Sequence, residues 1–326
     1  MTSHEDAPLA LVIGATGGIG GAVADRLLAG GWRVRALHRD PETARRSSGR
    51  EGLEWVRGDA MVEADVVAAA QGARLIVHGA NPPGYRNWAG LAMPMLASTI
   101  AAAKASGARI LFPGNVYNFG PDAWPVAAES APQNPLTRKG RLRVEMERSL
   151  AQSGAKVLIV RAGDFFGPAP GGNWLAQGLV KAGRPIASVT YPGPLDRPHA
   201  WAWLPDLAES MVRLAGRDDL ARVEVFHHRG HAVTGAELVA ALEAAAGRRL
   251  AVRKLPWLAL RAIAPFNETF REMLEMRYLW DEALVLDNAR LVARLGVEPH
   301  TPIVQALRLA LQGLDALPRQ PEALAA

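Results

Sequence analysis

The residues best placed to do chemistry stand at the front of the chain: Gly14, Gly17 and Gly20, within Gly14-Ala15-Thr16-Gly17-Gly18-Ile19-Gly20. The apolar run Leu9 to Ile13 leads into them, and the helical pattern Ala22 to Leu28 follows. A buried strand, a glycine turn and a helix start together offer unpaired N–H groups to a diphosphate. Gly14 permits the tight turn, Gly17 lets backbone approach phosphate, and Gly20 lets the helix lie close on the strand. With the strand and helix both present, the spacing predicts a dinucleotide site that also takes in Thr16, Gly18 and Ile19.

The second strand runs into His38-Arg39-Asp40, where the choice of dinucleotide is made. An acid at this place accepts from ribose hydroxyls, and an arginine neutralises an extra phosphate. Arg39, supported by His38 and Arg35, favours NADP(H) over NAD(H); a register shift of one residue would put Asp40 there instead. The neighbours His227 and His228, with His231 close by, invite a metal reading. Adjacent strand residues face opposite sides, and no carboxylate cluster accompanies them, so no metal site is expected. Trp201 and Trp203 share one face of a strand; core packing is their commoner fate, ligand stacking the alternative.

The elements that position these groups alternate. Strands are predicted at Arg33–Leu37, Leu53–Val56, Leu75–His78, Arg109–Phe112 and Val157–Val160. Helices are predicted between them at Val62–Ala70, Trp88–Ser106 and Arg141–Gln152. Short strands joined by helical crossovers mean an α/β fold, a doubly wound parallel sheet of Rossmann type. A last helix, Pro205–Leu214, and a last strand, Val223–Phe226, return to it. A smaller, mostly helical C-terminal region includes Thr234–Ala246, opened by a capping box with Glu237, then Leu250–Val252, Leu255–Ile263 and Ile303–Leu311. The expected domains are 8–165 plus 200–230 for the dinucleotide and 166–199 plus 231–316 for substrate, with 317–326 a frayed tail.

Composition excludes several classes. The chain has no cysteine, so disulfides, thiolate metal sites and cysteine nucleophiles are out. Its net charge of +5 comes from arginines scattered among acids, with no basic tail or aromatic-interleaved stripe, so no nucleic-acid partner is expected. The longest apolar stretch, Leu91 to Phe112, is broken by Pro94, Lys104 and Arg109, so no membrane span is expected. Thr2 to Pro8 is short and polar, without a secretory core, and a cytoplasmic location follows.

In order and spacing, Gly14-x-x-Gly17-x-x-Gly20, Gly58-Asp59, His78-Gly79-Ala80, Arg161 to Pro168, Trp203 to Ala208 and Val233 to Leu238 resemble the short-chain dehydrogenase/reductase superfamily. The likeness is to its extended and atypical members, the NAD-dependent epimerase/dehydratase proteins. The resemblance implies that Asp59, with Ala60, contacts the adenine amine, that Ala80 and Asn81 pass the adenosine ribose and pyrophosphate, and that Ala162 to Phe165 lie against the nicotinamide carboxamide. It also implies a homodimer through the helices near Trp88–Ser106 and Arg141–Gln152.

The family's serine, tyrosine and lysine are missing. Asn115 falls at the serine position, Thr137 and Arg141 at the tyrosine and lysine positions. Arg141 keeps a charge that could reach ribose hydroxyls, and Asn115 can hold a substrate oxygen. Thr137 is too weak an acid to replace a phenol and serves as a hydrogen-bonding group or a helix cap. Tyr117, two residues past Asn115, is the candidate proton donor, with packing under the loop as its other reading. Lys139 points away from the Thr137–Arg141 face and is expected in solvent. A small-molecule substrate would lie between the Asp164 loop and the C-terminal region, against Asn115, Tyr117, Asp164, Asn173, Trp174, His199 and Trp203. Two functions fit: an NADP(H)-dependent oxidoreductase or epimerase/dehydratase-like enzyme acting on a small carbonyl or nucleotide-sugar-like compound, or a non-catalytic NAD(P)-binding redox sensor.

Overall fold

A computed structural model describes residues 7–82, 87–169 and 172–317. Its first half alternates as the apolar periodicity requires: β1 (Leu9–Ile13), α1 (Gly18–Ala29), β2 (Arg33–His38), α2 (Pro41–Ser48), β3 (Leu53–Arg57), α3 (Glu63–Ala69), β4 (Ala73–His78), α4 (Trp88–Ser106) and β5 (Arg109–Asn115). A two-residue strand β6 (Val126–Ala127), α5 (Arg138–Gln152) and β7 (Lys156–Ala162) follow. Every residue of β1 is buried, because helices cover both faces of the sheet. The seven-stranded sheet has the order β11-β7-β5-β4-β1-β2-β3, where β11 is Val223–His227. All its pairings are parallel. The strand order turns back between β1 and β4, and ligands of such sheets lie outside the carboxyl ends of the strands at that point.

The remaining elements are β8 (Asp164–Phe166), β9 (Ser188–Tyr191), β10 (Pro198–Trp203), α6 (Leu204–Ala215), β12 (His231–Thr234), α7 (Gly235–Ala246), β13 (Ala251–Lys254) and α8 (Trp257–Ile263). The chain continues through α9 (Glu268–Glu275), α10 (Tyr278–Asp281), β14 (Val285–Leu286), α11 (Ala289–Leu295) and α12 (Ile303–Gly313). One apolar core joins the sheet to α4 and α5, a second joins its other face to α1 and α6. A third, containing Trp201, Trp203 and Trp280, holds the C-terminal elements together. Among the described residues no helix is long and apolar enough to cross a membrane.

Two boundaries differ from the sequence expectation for a local reason. Helix α5 begins at Arg138 rather than Arg141, because the Thr137 side chain accepts from Gly140 N–H and caps it. Strand β5 extends past Phe112 to Asn115, where the Asn115 side chain accepts from Tyr117 N–H and turns the chain. Elements α9, α10 and β14 fall in a stretch with no expected structure. The tail from 318 onward lies outside the described residues.

Candidate functional site

The glycine turn is built from backbone contact. Gly14 has φ +92°, and a Cβ there would sit 2.7 Å from Ala80 N. A Cβ on Gly20 would lie 2.2 Å from Gly14 O, so α1 can approach β1 this closely only with hydrogen at that position. Gly17 N–H donates to Gly14 O at 2.9 Å. Thr16, Gly17 and Gly18 are exposed at the mouth of the crevice. Helix α1 has no side-chain cap and no acid in its first turn, so its leading N–H groups remain available to an anion. Ile19 is buried beneath them. This cradle fits a dinucleotide diphosphate.

At the tip of β2 the two competing side chains part company. Asp40 caps α2, accepting from Thr43 N–H at 3.2 Å and from the Thr43 hydroxyl at 2.7 Å. Those bonds hold its carboxyl below the usual range, with Arg46 and Arg57 adding to the effect. Arg39 is exposed and, among the described residues, has no hydrogen-bond or ion-pair partner. His38 is half-buried edge-on to Trp55, and its Nδ1 accepts from Asp40 N–H at 3.0 Å. Arg35 does not join this group: it bonds Glu54 and the carbonyls of Ala69 and Gln71. Arg57, which the sequence reading overlooked, ends β3 directly opposite His38.

Asp59 accepts from Met61 N–H at 2.9 Å, which fixes the turn holding it and Ala60. Ala80 stands against Gly14, and Asn81 accepts from the Trp88 indole at 2.6 Å.

The groups standing where the family's catalytic residues lie are occupied with structure. Thr137 is the α5 cap, and Arg141 is exposed, donating to Leu136 O at 3.3 Å. Tyr117 is buried in the core beneath its loop. Lys139 is not in solvent. It is 3% exposed and paired with Glu272 and Glu275 of α9, and Arg138 bonds the same two acids. Helix spacing correctly turned Lys139 from the Thr137–Arg141 face, but could not reveal that α9 covers the face it turns to.

Behind α9 comes the group that sequence reasoning missed. Tyr278 brings a phenol to the start of α5. Its ring stacks on Trp124 at 5.9 Å and 16°. The Tyr278 hydroxyl is buried and completes no hydrogen bond of regular geometry among the described residues, although Thr137 is close enough to favour its ionised form. Burial, then the carboxylates of Asp164 and Glu275, push this phenol well above its ordinary pKa.

The next two residues hold His199. Its Nδ1 lies 3.0 Å from Leu279 O, its Nε2 lies 2.8 Å from Asp164 Oδ2, and its ring stacks on Trp280 at 4.0 Å and 6°. Both ring nitrogens thus face oxygen acceptors.

Asn173 accepts from Ala176 N–H, and Trp174 packs edge-on against Trp280. Trp203, expected at the cleft wall, is 2% exposed against Phe166 and belongs to the core. Ala162 is fully buried at the end of β7, and Phe165 is half-buried against the second core. Behind the loop, Arg161 and Glu147 form a buried ion pair at 2.6 Å. The same guanidinium meets His227 Nε2 at 3.1 Å, while His228 turns to Ser210 on the other face. Among the described residues no cluster of three or more His, Asp or Glu could hold a metal.

Residues 14–184 match the family described as NAD(P)H-binding. An uncharacterised protein of Sinorhizobium fredii is 30% identical over 204 residues, 55% of this chain and 57% of that protein. The 3-diazoavenalumate denitrifying reductase of a Streptomyces species is 32% identical over 179 residues, 49% of this chain and 57% of that enzyme. The matched stretches thus span little more than half of either relative. UDP-glucose 4-epimerase of Bifidobacterium longum, solved with NAD+ and UDP, superposes with a TM-score of 0.70 at 17% identity, covering 94% of this chain and 97% of that one. With its nucleotide crevice inside a match that takes in just over half of its length, the chain belongs to the NAD(P)H-binding family and has the fold of the extended short-chain dehydrogenase/reductase proteins.

Proposed function

We propose that this protein is an NADP(H)-dependent oxidoreductase acting on a small carbonyl or nucleotide-sugar-like substrate. The observation that carries the reading is the Asp164–His199 pair, an acid–base couple that joins the start of β8 to β10. The imidazole is oriented at both nitrogens, by a carboxylate on one side and a backbone carbonyl on the other, which is the geometry a positioned acid–base group requires. The preference for the phosphorylated dinucleotide rests on Arg39, free at the β2 tip while Asp40 is turned into a cap. A matched relative that is a reductase and a structural neighbour solved with NAD+ and UDP support a dinucleotide-dependent enzyme, without bearing on which dinucleotide it takes.

When bound, the cofactor supplies or withdraws hydride at a substrate carbon. The chain's part is to anchor the diphosphate on the glycine turn, to hold the adenosine phosphate with Arg39, and to manage the proton on the substrate oxygen. Asn115 keeps a donor amide at the end of β5, since among the described residues only its Oδ1 is engaged, by Tyr117 N–H.

The second reading, a redox sensor, is favoured by one observation: Thr137 caps a helix, so no tyrosine–lysine pair remains on α5. Calorimetry with NADPH and NADH, followed by cofactor consumption over a panel of aldehydes, ketones and nucleotide sugars, separates the two. Oxidation of NADPH by some member supports the enzyme. Tight binding with no consumption across the panel supports the sensor.

A further inference from the structure

We propose that α8 and the turn leading into α9 form a docking surface for an anionic phospholipid bilayer, entered by Leu258 and Phe266 and held by the cations beside them. The inference stands apart from the dinucleotide site and does not depend on its reading. Helix α8 buries none of its residues. Leu258 is 84% exposed, Ile263 48% and Phe266 91%. Leu258 and Ala262, also exposed, lie one turn apart on the same side of α8, and Phe266 follows at the same spacing past its end. Single exposed apolar residues are ordinary, but a row of them at a chain reversal marks a surface that meets something.

The charges are sorted between the two sides of this segment. Helix α9 turns Glu272 and Glu275 inward onto Lys139 and Arg138 of α5. That leaves Arg253, Lys254, Arg261 and Arg271 exposed, and among the described residues from Ala251 to Arg271 the one exposed acid is Glu268. Arg253 and Lys254 end the strand that leads into α8, Arg261 lies one turn from Leu258, and Arg271 is in the first turn of α9.

Apolar side chains flanked by cations complement a bilayer interface: acyl chains receive Leu258 and Phe266, and headgroup phosphates receive the arginines and the lysine. Such docking is peripheral and needs no helix long enough to cross the bilayer. A second copy is a poorer partner, because a twofold pairing of this face sets its cations against the same cations.

The segment is fastened from its other side, which lets the apolar row stay exposed in the folded chain. Besides the ion pairs to α5, the Trp257 indole donates to Pro192 O at 2.6 Å, and the Arg277 guanidinium covers the Trp257 ring at 5.5 Å. Substituting Phe266 therefore removes little internal packing.

The test uses the full chain and vesicles of phosphatidylcholine, with and without phosphatidylglycerol. Because the chain has no cysteine, Phe266→Cys carries an environment-sensitive dye at one place. Lys104→Cys is the control, exposed at the end of α4 opposite Asn87, whose N–H donates to Glu268. The wild type is expected to float with the anionic vesicles, less so as salt is added, and not with the neutral ones. At saturating vesicles the dye at position 266 should brighten and the dye at position 104 should not. Phe266→Ser should keep Tm and weaken partitioning about 10- to 150-fold, and Arg261→Gln should weaken it about fivefold. No flotation with anionic vesicles, equal flotation with neutral ones, a dark dye at position 266, or a Phe266→Ser variant that binds like the wild type overturns the proposal. A wild-type dimer in light scattering that Phe266→Ser dissociates also overturns it, giving this face to a second copy.

Discussion

Replacing Arg39 with alanine tests the dinucleotide reading at its most exposed point. The guanidinium breaks no existing ion pair to meet a phosphate, since it has none among the described residues. Charge-assisted hydrogen bonds contribute about 1.5–3 kcal/mol each. Arg46 and Arg57 stay nearby, as their effect on Asp40 shows, and preserve part of the positive field. One such bond lost corresponds to roughly 10- to 150-fold weaker NADPH binding. NADH, lacking the phosphate, should change less than about twofold by the same accounting. Isothermal titration of both nucleotides against both proteins measures the ratio, and added salt should shrink the difference because the contact is exposed. Asp40→Ala is the control: it removes the α2 cap and lowers Tm without changing the NADPH-to-NADH ratio. An Arg39→Ala ratio equal to that of the wild type, or a ratio governed by Asp40, would refute the reasoning.

Glu147→Ala should cost about 3–5 kcal/mol, because it leaves Arg161 charged and 1% exposed beside His227 and the Phe119 ring, without a carboxylate partner among the described residues. Urea denaturation reads this, and a loss under about 1 kcal/mol contradicts the buried pair. Gly20→Ala drives a methyl to 2.2 Å from Gly14 O, so it should destabilise by about 1–3 kcal/mol and weaken NADPH binding together. A variant of full stability and affinity would show that the turn is looser than described. His78 and His227 are both held neutral, with pKa values lowered to about 3, mainly by loss of water and then by Arg143 and Arg161. The unfolded chain takes up these protons first as pH falls, so their contribution is complete above about 6.5 and declines from there toward 3. Denaturation midpoints unchanged between pH 6.5 and 5 would contradict it.

Spacing alone determined the parallel sheet, the glycine turn and the class of ligand it cradles, because those depend on residues within a turn or two of one another. Leu9 to Ile13 can only be a strand buried on both faces, and Gly14, Gly17 and Gly20 act through backbone a few ångströms away. The loss of the tyrosine–lysine pair at Thr137 and Arg141 was equally legible. Tertiary structure decided what stands in its place. Nothing periodic links Lys139 to Glu272, Tyr278 to Thr137, or His199 to both Asp164 and Leu279 O. These contacts join segments far apart in the chain, across a stretch with no strong periodicity, and leave no trace in local order. Helix geometry turned Lys139 the right way, but only the docking of α9 made it a buried ion rather than a solvated one.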